Sequence, residues 1–129
     1  MTIKTIMIID DSEADQFIAR KAILKLWPSA QLLKAYNGEE ALKTLEKEET
    51  QPDLIILDIN MPVMNGPEFL EEYTKQTQQA KMVVILTSSE LQSDMETTQK
   101  HEIVKACIPR PLRETDLQKI QMLYEETGH

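Results

Sequence analysis

The chain has 129 residues, a length that suits one domain around one core, and a formal net charge of −8 that disfavours nucleic acid or an anionic membrane surface as a partner. It has no apolar run long enough to span a bilayer, and its N-terminus meets two aspartates too early for a secretory signal. Its one cysteine, Cys107, has no internal disulfide partner, which fits a reducing cytoplasm.

Two kinds of segment alternate along the chain. Short runs of β-branched and aliphatic residues occur at 5–9 (TIMII), 32–36 (LLKAY), 54–57 (LIIL), 82–86 (MVVIL) and 105–108 (KACI). Several are almost wholly apolar, as expected of strands buried on both faces. Helical spacing fills the gaps. After Ser12, Ala14, Ile18, Ala22 and Leu26 recur every fourth residue, and Trp27-Pro28 closes that helix. Ser12 with Asp15 resembles a capping box. Ala41, Leu42 and Leu45 mark a second helix after Asn37-Gly38. Pro67 opens a third, with Phe69, Leu70 and Tyr73. A fourth, weakly amphipathic, is expected over about 90–100, anchored by Leu91 and Met95. The fifth carries Leu117, Ile120 and Tyr124.

Five strand–helix alternations predict an α/β fold: a doubly wound, five-stranded parallel sheet with helices on both faces and right-handed crossovers. Parallel strands end on one common edge, where ligands bind. The residues just after each strand are therefore the informative ones. They are Asp10 and Asp11 after the first, Asp58 after the third, Thr87 with Ser88 and Ser89 after the fourth, and Arg110 after the fifth, held between Pro109 and Pro111. Trp27 falls at the opposite pole, so its fluorescence is expected to respond poorly to a metal bound at this edge.

Three converging carboxylates raise one another's pKa, and a bound cation removes that penalty. Oxygen ligands without imidazole or thiolate suit Mg²⁺, with Mn²⁺ as the alternative. Mg²⁺ shares itself with phosphate oxygens, and a carboxylate is itself a competent nucleophile toward phosphorus. Asp58, ending the most apolar central strand, is the best nucleophile. Singly, each residue has an ordinary use: Asp10 and Asp11 beside a helix N-terminus, Asp58 as a turn starter, Thr87, Ser88 or Ser89 as an N-cap, Arg110 as a solvated charge. Jointly they make a complete acid, hydroxyl and cation set.

That set resembles a response-regulator receiver domain, the phosphoacceptor half of two-component signalling. The resemblance covers nearly the whole chain and rests on Asp10-Asp11, the stretch DINMPVMNG (58–66), Thr87 and RPL (110–112). It implies a flavodoxin-like strand order 2-1-3-4-5. It implies phosphorylation of Asp58, with Mg²⁺ held by Asp11, Asp58 and the backbone carbonyl of Asn60 and by Asp10 through a water. Thr87 would contact the phosphoryl group, Asn60 and Ser89 would tune its hydrolysis, and Arg110-Pro111 would be a cis peptide. The family usually has lysine where this chain has Arg110, and an aromatic residue where it has Cys107. Arginine replaces a point charge with a planar fork, and cysteine is too small for the usual aromatic swing.

The expected function is a stand-alone receiver spanning 1–129 with no output domain. A histidine kinase or phosphotransfer protein would donate the phosphoryl group. A downstream protein would read the face of the fourth helix, fifth strand and fifth helix. The chain would be no enzyme beyond self-phosphorylation from a donor and slow autodephosphorylation. The alternative is a receiver-like binding module locked by Arg110–Asp58 pairing. A remote third reading is a Mg²⁺-dependent phosphatase, which commonly needs an acid two residues after the nucleophile, where this chain has Asn60.

Overall fold

The computed structural model describes residues 3–87 and 100–127. In chain order the elements are β1 (Thr5–Ile9), α1 (Glu13–Leu26), β2 (Gln31–Ala35), α2 (Gly38–Glu46), β3 (Leu54–Asp58), α3 (Gly66–Tyr73), β4 (Met82–Thr87), β5 (Val104–Pro109) and a C-terminal helix, α4 (Glu114–Thr127). The fourth predicted helix, with Leu91 and Met95, and the predicted site residues Ser88 and Ser89 lie outside the described residues.

All four strand pairings are parallel, and the sheet order is β2-β1-β3-β4-β5. The central strands β3 and β4 are buried along their whole length, because helices cover both faces. Alternation of side chains splits the interior in two. Ile6, Ile8, Ile56 and Val84 pack with Ala19 and Ile23 of α1 and Leu117, Ile120 and Tyr124 of α4. Met7, Ile55, Val83 and Ile85 pack with Ala41 and Leu45 of α2 and Phe69, Leu70 and Tyr73 of α3. β5 carries a register irregularity opposite Val83/Val84, where Lys105 is the extra residue, and pairing resumes with Val84 opposite Ala106.

The stripe expected on α1 is corrected in its first half only, since Ala22 and Leu26 are partly buried and pack against the core. Ala14 and Ile18 are exposed, and the buried positions are Gln16, Ala19 and Ile23. A strict four-residue repeat drifts around a 3.6-residue helix, whereas alternating steps of three and four stay on one face. Gln16 belongs in that stripe because strand carbonyls need donors there: its Nε2 lies 3.2 Å from the Ile8 carbonyl, 3.1 Å from that of Asp10 and 3.0 Å from that of Ala35. The capping box at Ser12 is half formed. The Ser12 hydroxyl accepts from the Asp15 amide at 3.2 Å, but the Asp15 carboxylate points to Arg110 instead of returning to the cap. A complete capping box forms instead at α3, between Asn65 and Glu68. Trp27 caps the far end of α1, at the pole opposite the strand ends.

Candidate functional site

The parallel sheet delivers the ends of β1, β3, β4 and β5 to one edge. Asp10 follows β1, its amide bonded to the Ala35 carbonyl at 3.0 Å and its Oδ1 accepting from the Ser12 amide at 3.0 Å. Asp58 closes β3 and is fully buried; its Oδ1 accepts from the Asn60 amide at 3.3 Å. Asp11 is exposed beside them. Carboxylate oxygens of Asp10, Asp11 and Asp58 all lie within 4.8 Å of one another. Thr87 ends β4 and is buried, with its carbonyl accepting from the Arg110 amide at 3.0 Å. Asn60 is exposed in the loop after Asp58.

Two backbone features shape that loop. Gly66 packs directly on the chain after the acid: a Cβ there would stand 2.9 Å from the Ile59 Cα and 3.0 Å from the Asp58 carbonyl oxygen. Val63, at the tip, holds a left-handed φ of 67°. Across the edge, the Arg110-Pro111 peptide is cis, as the resemblance implies.

The Arg110 guanidinium bridges two carboxylates, Nη2 to Asp58 Oδ1 and Nη1 to Asp15 Oδ2. Burial raises the pKa of the Asp58 carboxyl, while Arg110 opposes that shift. The same desolvation pushes Asp10 up to about 6, against the Ser12 hydrogen bond, and the nearby Asp58 charge adds to the rise. Among the described residues, Asp10 Oδ2 and Asp58 Oδ2 are buried without a hydrogen-bond partner. Two orphaned acidic oxygens, with a third carboxylate within reach, are what a hard divalent cation would satisfy. The donor set therefore fits Mg²⁺.

Cys107 is half-buried against the α2–α3 side of the sheet and lines no part of this edge cluster. Two residues near the cluster escaped the sequence reading. Gln16 had a usable signal, a polar residue in phase with Ala19 and Ile23. Asp15 had none beyond being one more acid in the first turn of α1, where a local helix role explains it equally well.

A family model described as the response regulator receiver domain matches residues 6–121. The chain belongs to the response regulator receiver family. Aspartyl phosphorylation and Mg²⁺ are features of receiver domains in general. Among curated relatives, the protein-glutamate methylesterase/protein-glutamine glutaminase of Treponema denticola is 41% identical over 85 residues, 65% of this chain. The receiver chain spans only 22% of that relative's length. Protein PilH of Pseudomonas aeruginosa is 27% identical over 114 residues, covering 88% of this chain and 91% of PilH. In fold, the receiver is similar to a two-component response regulator from Cytophaga hutchinsonii, with a TM-score of 0.84, 21% identity and coverage of 98% and 99% of the two chains.

Proposed function

We propose that this receiver accepts a phosphoryl group on Asp58 with Mg²⁺ and changes a protein-binding face in response. The observation that carries the reading is the cluster itself: three carboxylates within 4.8 Å, two of them with orphaned buried oxygens, faced by one cation. Asp10, Asp11 and Asp58 would hold the metal, with Asn60 contributing from the adjoining loop. Bound there, Mg²⁺ would neutralise charge on the phosphoryl oxygens.

The Asp58 carboxylate attacks phosphorus while the bond from phosphorus to the donor's leaving group breaks, leaving an acyl phosphate on Asp58. Arg110 stands ready to donate to an equatorial oxygen, and the Thr87 hydroxyl would do the same. The donor would be a histidine kinase or phosphotransfer protein, in keeping with the family. Asn60 and Ser89 would tune hydrolysis of the acyl phosphate. Output would pass through the face that includes β5 and α4, with Cys107 in place of an aromatic switch residue. Phosphorylation moves such a face only by stabilising one of its states more than the other. The net charge disfavours nucleic acid, among the described residues no helix is long and apolar enough to cross a membrane, and the lone cysteine suits a reducing cytoplasm.

A second reading draws on one specific observation, the pairing of Arg110 with the phosphoacceptor carboxylate. In it Arg110 locks Asp58 and the fold serves as a binding module. Incubation with acetyl phosphate and Mg²⁺, followed by intact mass, separates the two. The first reading expects one added phosphoryl group, lost in Asp58→Asn. An unchanged mass, also with a cognate kinase, supports the lock.

A further inference from the structure

We infer that Asp15 is a positioning residue that holds one arm of Arg110 on α1 and leaves the other arm alone to face Asp58. This rests on the phosphoacceptor reading above.

Arg110 is fixed at its backbone by the Thr87 carbonyl and by flanking prolines, so its side chain approaches the site from a defined point. From there Nη1 goes to Asp15 and Nη2 to Asp58. All three groups are sheltered: the Arg110 side chain is 23% exposed, that of Asp15 25% and that of Asp58 0%. Sheltered ion pairs are screened less than surface ones, so this geometry holds better than a surface pair would. Asp15 is available because its amide is satisfied by Ser12 and its carboxylate makes no return bond to the cap.

The chemistry follows from the shape of the two cations. A lysine ammonium is one point of charge. An arginine fork offers two parallel donors and grips a carboxylate or phosphoryl group with both when both are free. With Nη1 engaged by Asp15, only Nη2 reaches Asp58, as a lysine would, and Nε, buried without a partner, makes no second contact there. Asp15 thereby adapts arginine to a position where the family usually has lysine. Without it, the second arm is free to close on the phosphoryl group, tightening the grip and slowing its loss.

The test uses beryllofluoride with Mg²⁺ as the phosphoryl stand-in, titrated against wild type, Asp15→Ala, Arg110→Lys and the double variant, with urea unfolding as a folding control. Asp15→Ala is expected to bind at least fivefold more tightly than wild type. In the Arg110→Lys background the same substitution is expected to change binding less than twofold. Asp15→Glu, which keeps the acceptor, is expected to return toward wild type. Asp15→Leu, which removes the acceptor and keeps the site filled, serves if Asp15→Ala does not fold. An equal gain in both backgrounds would mean that loss of negative charge, rather than release of the fork, is responsible, and would overturn the inference. So would unchanged or weaker binding in Asp15→Ala. A wild type that neither gains phosphoryl mass nor binds beryllofluoride defeats the phosphoacceptor reading and this inference with it. A wild type that does both, with no dependence on Asp15, defeats this inference alone.

Discussion

The Gly66 amide donates to the Ile59 carbonyl at 3.0 Å, and the Gly66 Cα comes so close that a methyl group on it would meet the Ile59 Cα at 2.9 Å. The three crowding atoms, the Ile59 Cα and the Asp58 and Ile59 carbonyl oxygens, are all backbone, so none can swing aside. Gly66→Ala must therefore push the start of α3 away from the segment that carries Asp58. We expect a loss of about 2 kcal/mol in urea unfolding, in the range of overpacking a tight site. A change under about 0.5 kcal/mol would show that the loop yields freely.

Val63 presents the opposite case. A β-branched residue at a φ of 67° is strained by roughly 1–2 kcal/mol, and Val63 is 74% exposed, so little burial offsets it. Val63→Asn should stabilise the protein by about 1 kcal/mol, read as a higher urea midpoint with an unchanged slope. An equal or lower midpoint would place the strain elsewhere.

Asp10 sets a pH dependence. Its carboxyl, pushed up to about 6 by burial, binds protons in the folded state that an unfolded aspartate, near 3.9, has already released. Between about pH 4 and pH 6 the folded state therefore holds more protons, and its stability falls as pH rises through that window. The loss is on the order of 2 kcal/mol with metal chelated. Mg²⁺ at pH 7 should restore it, since cation replaces proton. Urea midpoints at pH 4.5 and 7, in chelator and in Mg²⁺, with Asp10→Asn as control, check the sign. A midpoint in chelator that rises with pH would refute it. In the same titration the fluorescence of Trp27, at the far pole, should barely change, and strong quenching by Mg²⁺ would count against this placement.

Gln16 joins β1, β2 and α1 through one buried amide. Gln16→Leu keeps the bulk and removes the donors, leaving the Asp10 carbonyl short of a partner. The expected effect is a loss of about 2 kcal/mol. Hydrogen exchange should quicken at the Asp10 amide, which bonds the same Ala35 carbonyl that Gln16 reaches. Unchanged exchange there would mean that the carbonyls find other donors.

Most of this architecture is legible from residue order, because buried parallel strands such as 54–58 and 82–87 need continuous apolar runs and their ends must carry the polar chemistry. Asp10, Asp11, Asp58, Thr87 and Arg110 were readable for that reason, and so were Phe69, Leu70 and Tyr73 on α3. What escaped depends on distance across the chain. Asp15 and Arg110 are 95 residues apart, and nothing local distinguishes an acid that caps its own helix from one that reaches across the site. The face of α1 was misjudged because Ala14 and Ile18 are apolar yet exposed, while the buried Gln16 is polar. Periodicity reads hydrophobicity, and here a hydrogen-bond requirement overrode it.

Cys107 is the only thiol in the chain, half-buried on β5 and paired in register with Ile85 of β4. It lies three residues before Arg110, on the strand that leads to it, yet outside the acid cluster. A small thiol reagent added in excess would thus report on one known position and no other. Its modification rate becomes a clock for how often that side of the sheet loosens, and the protein carries it without an engineered label.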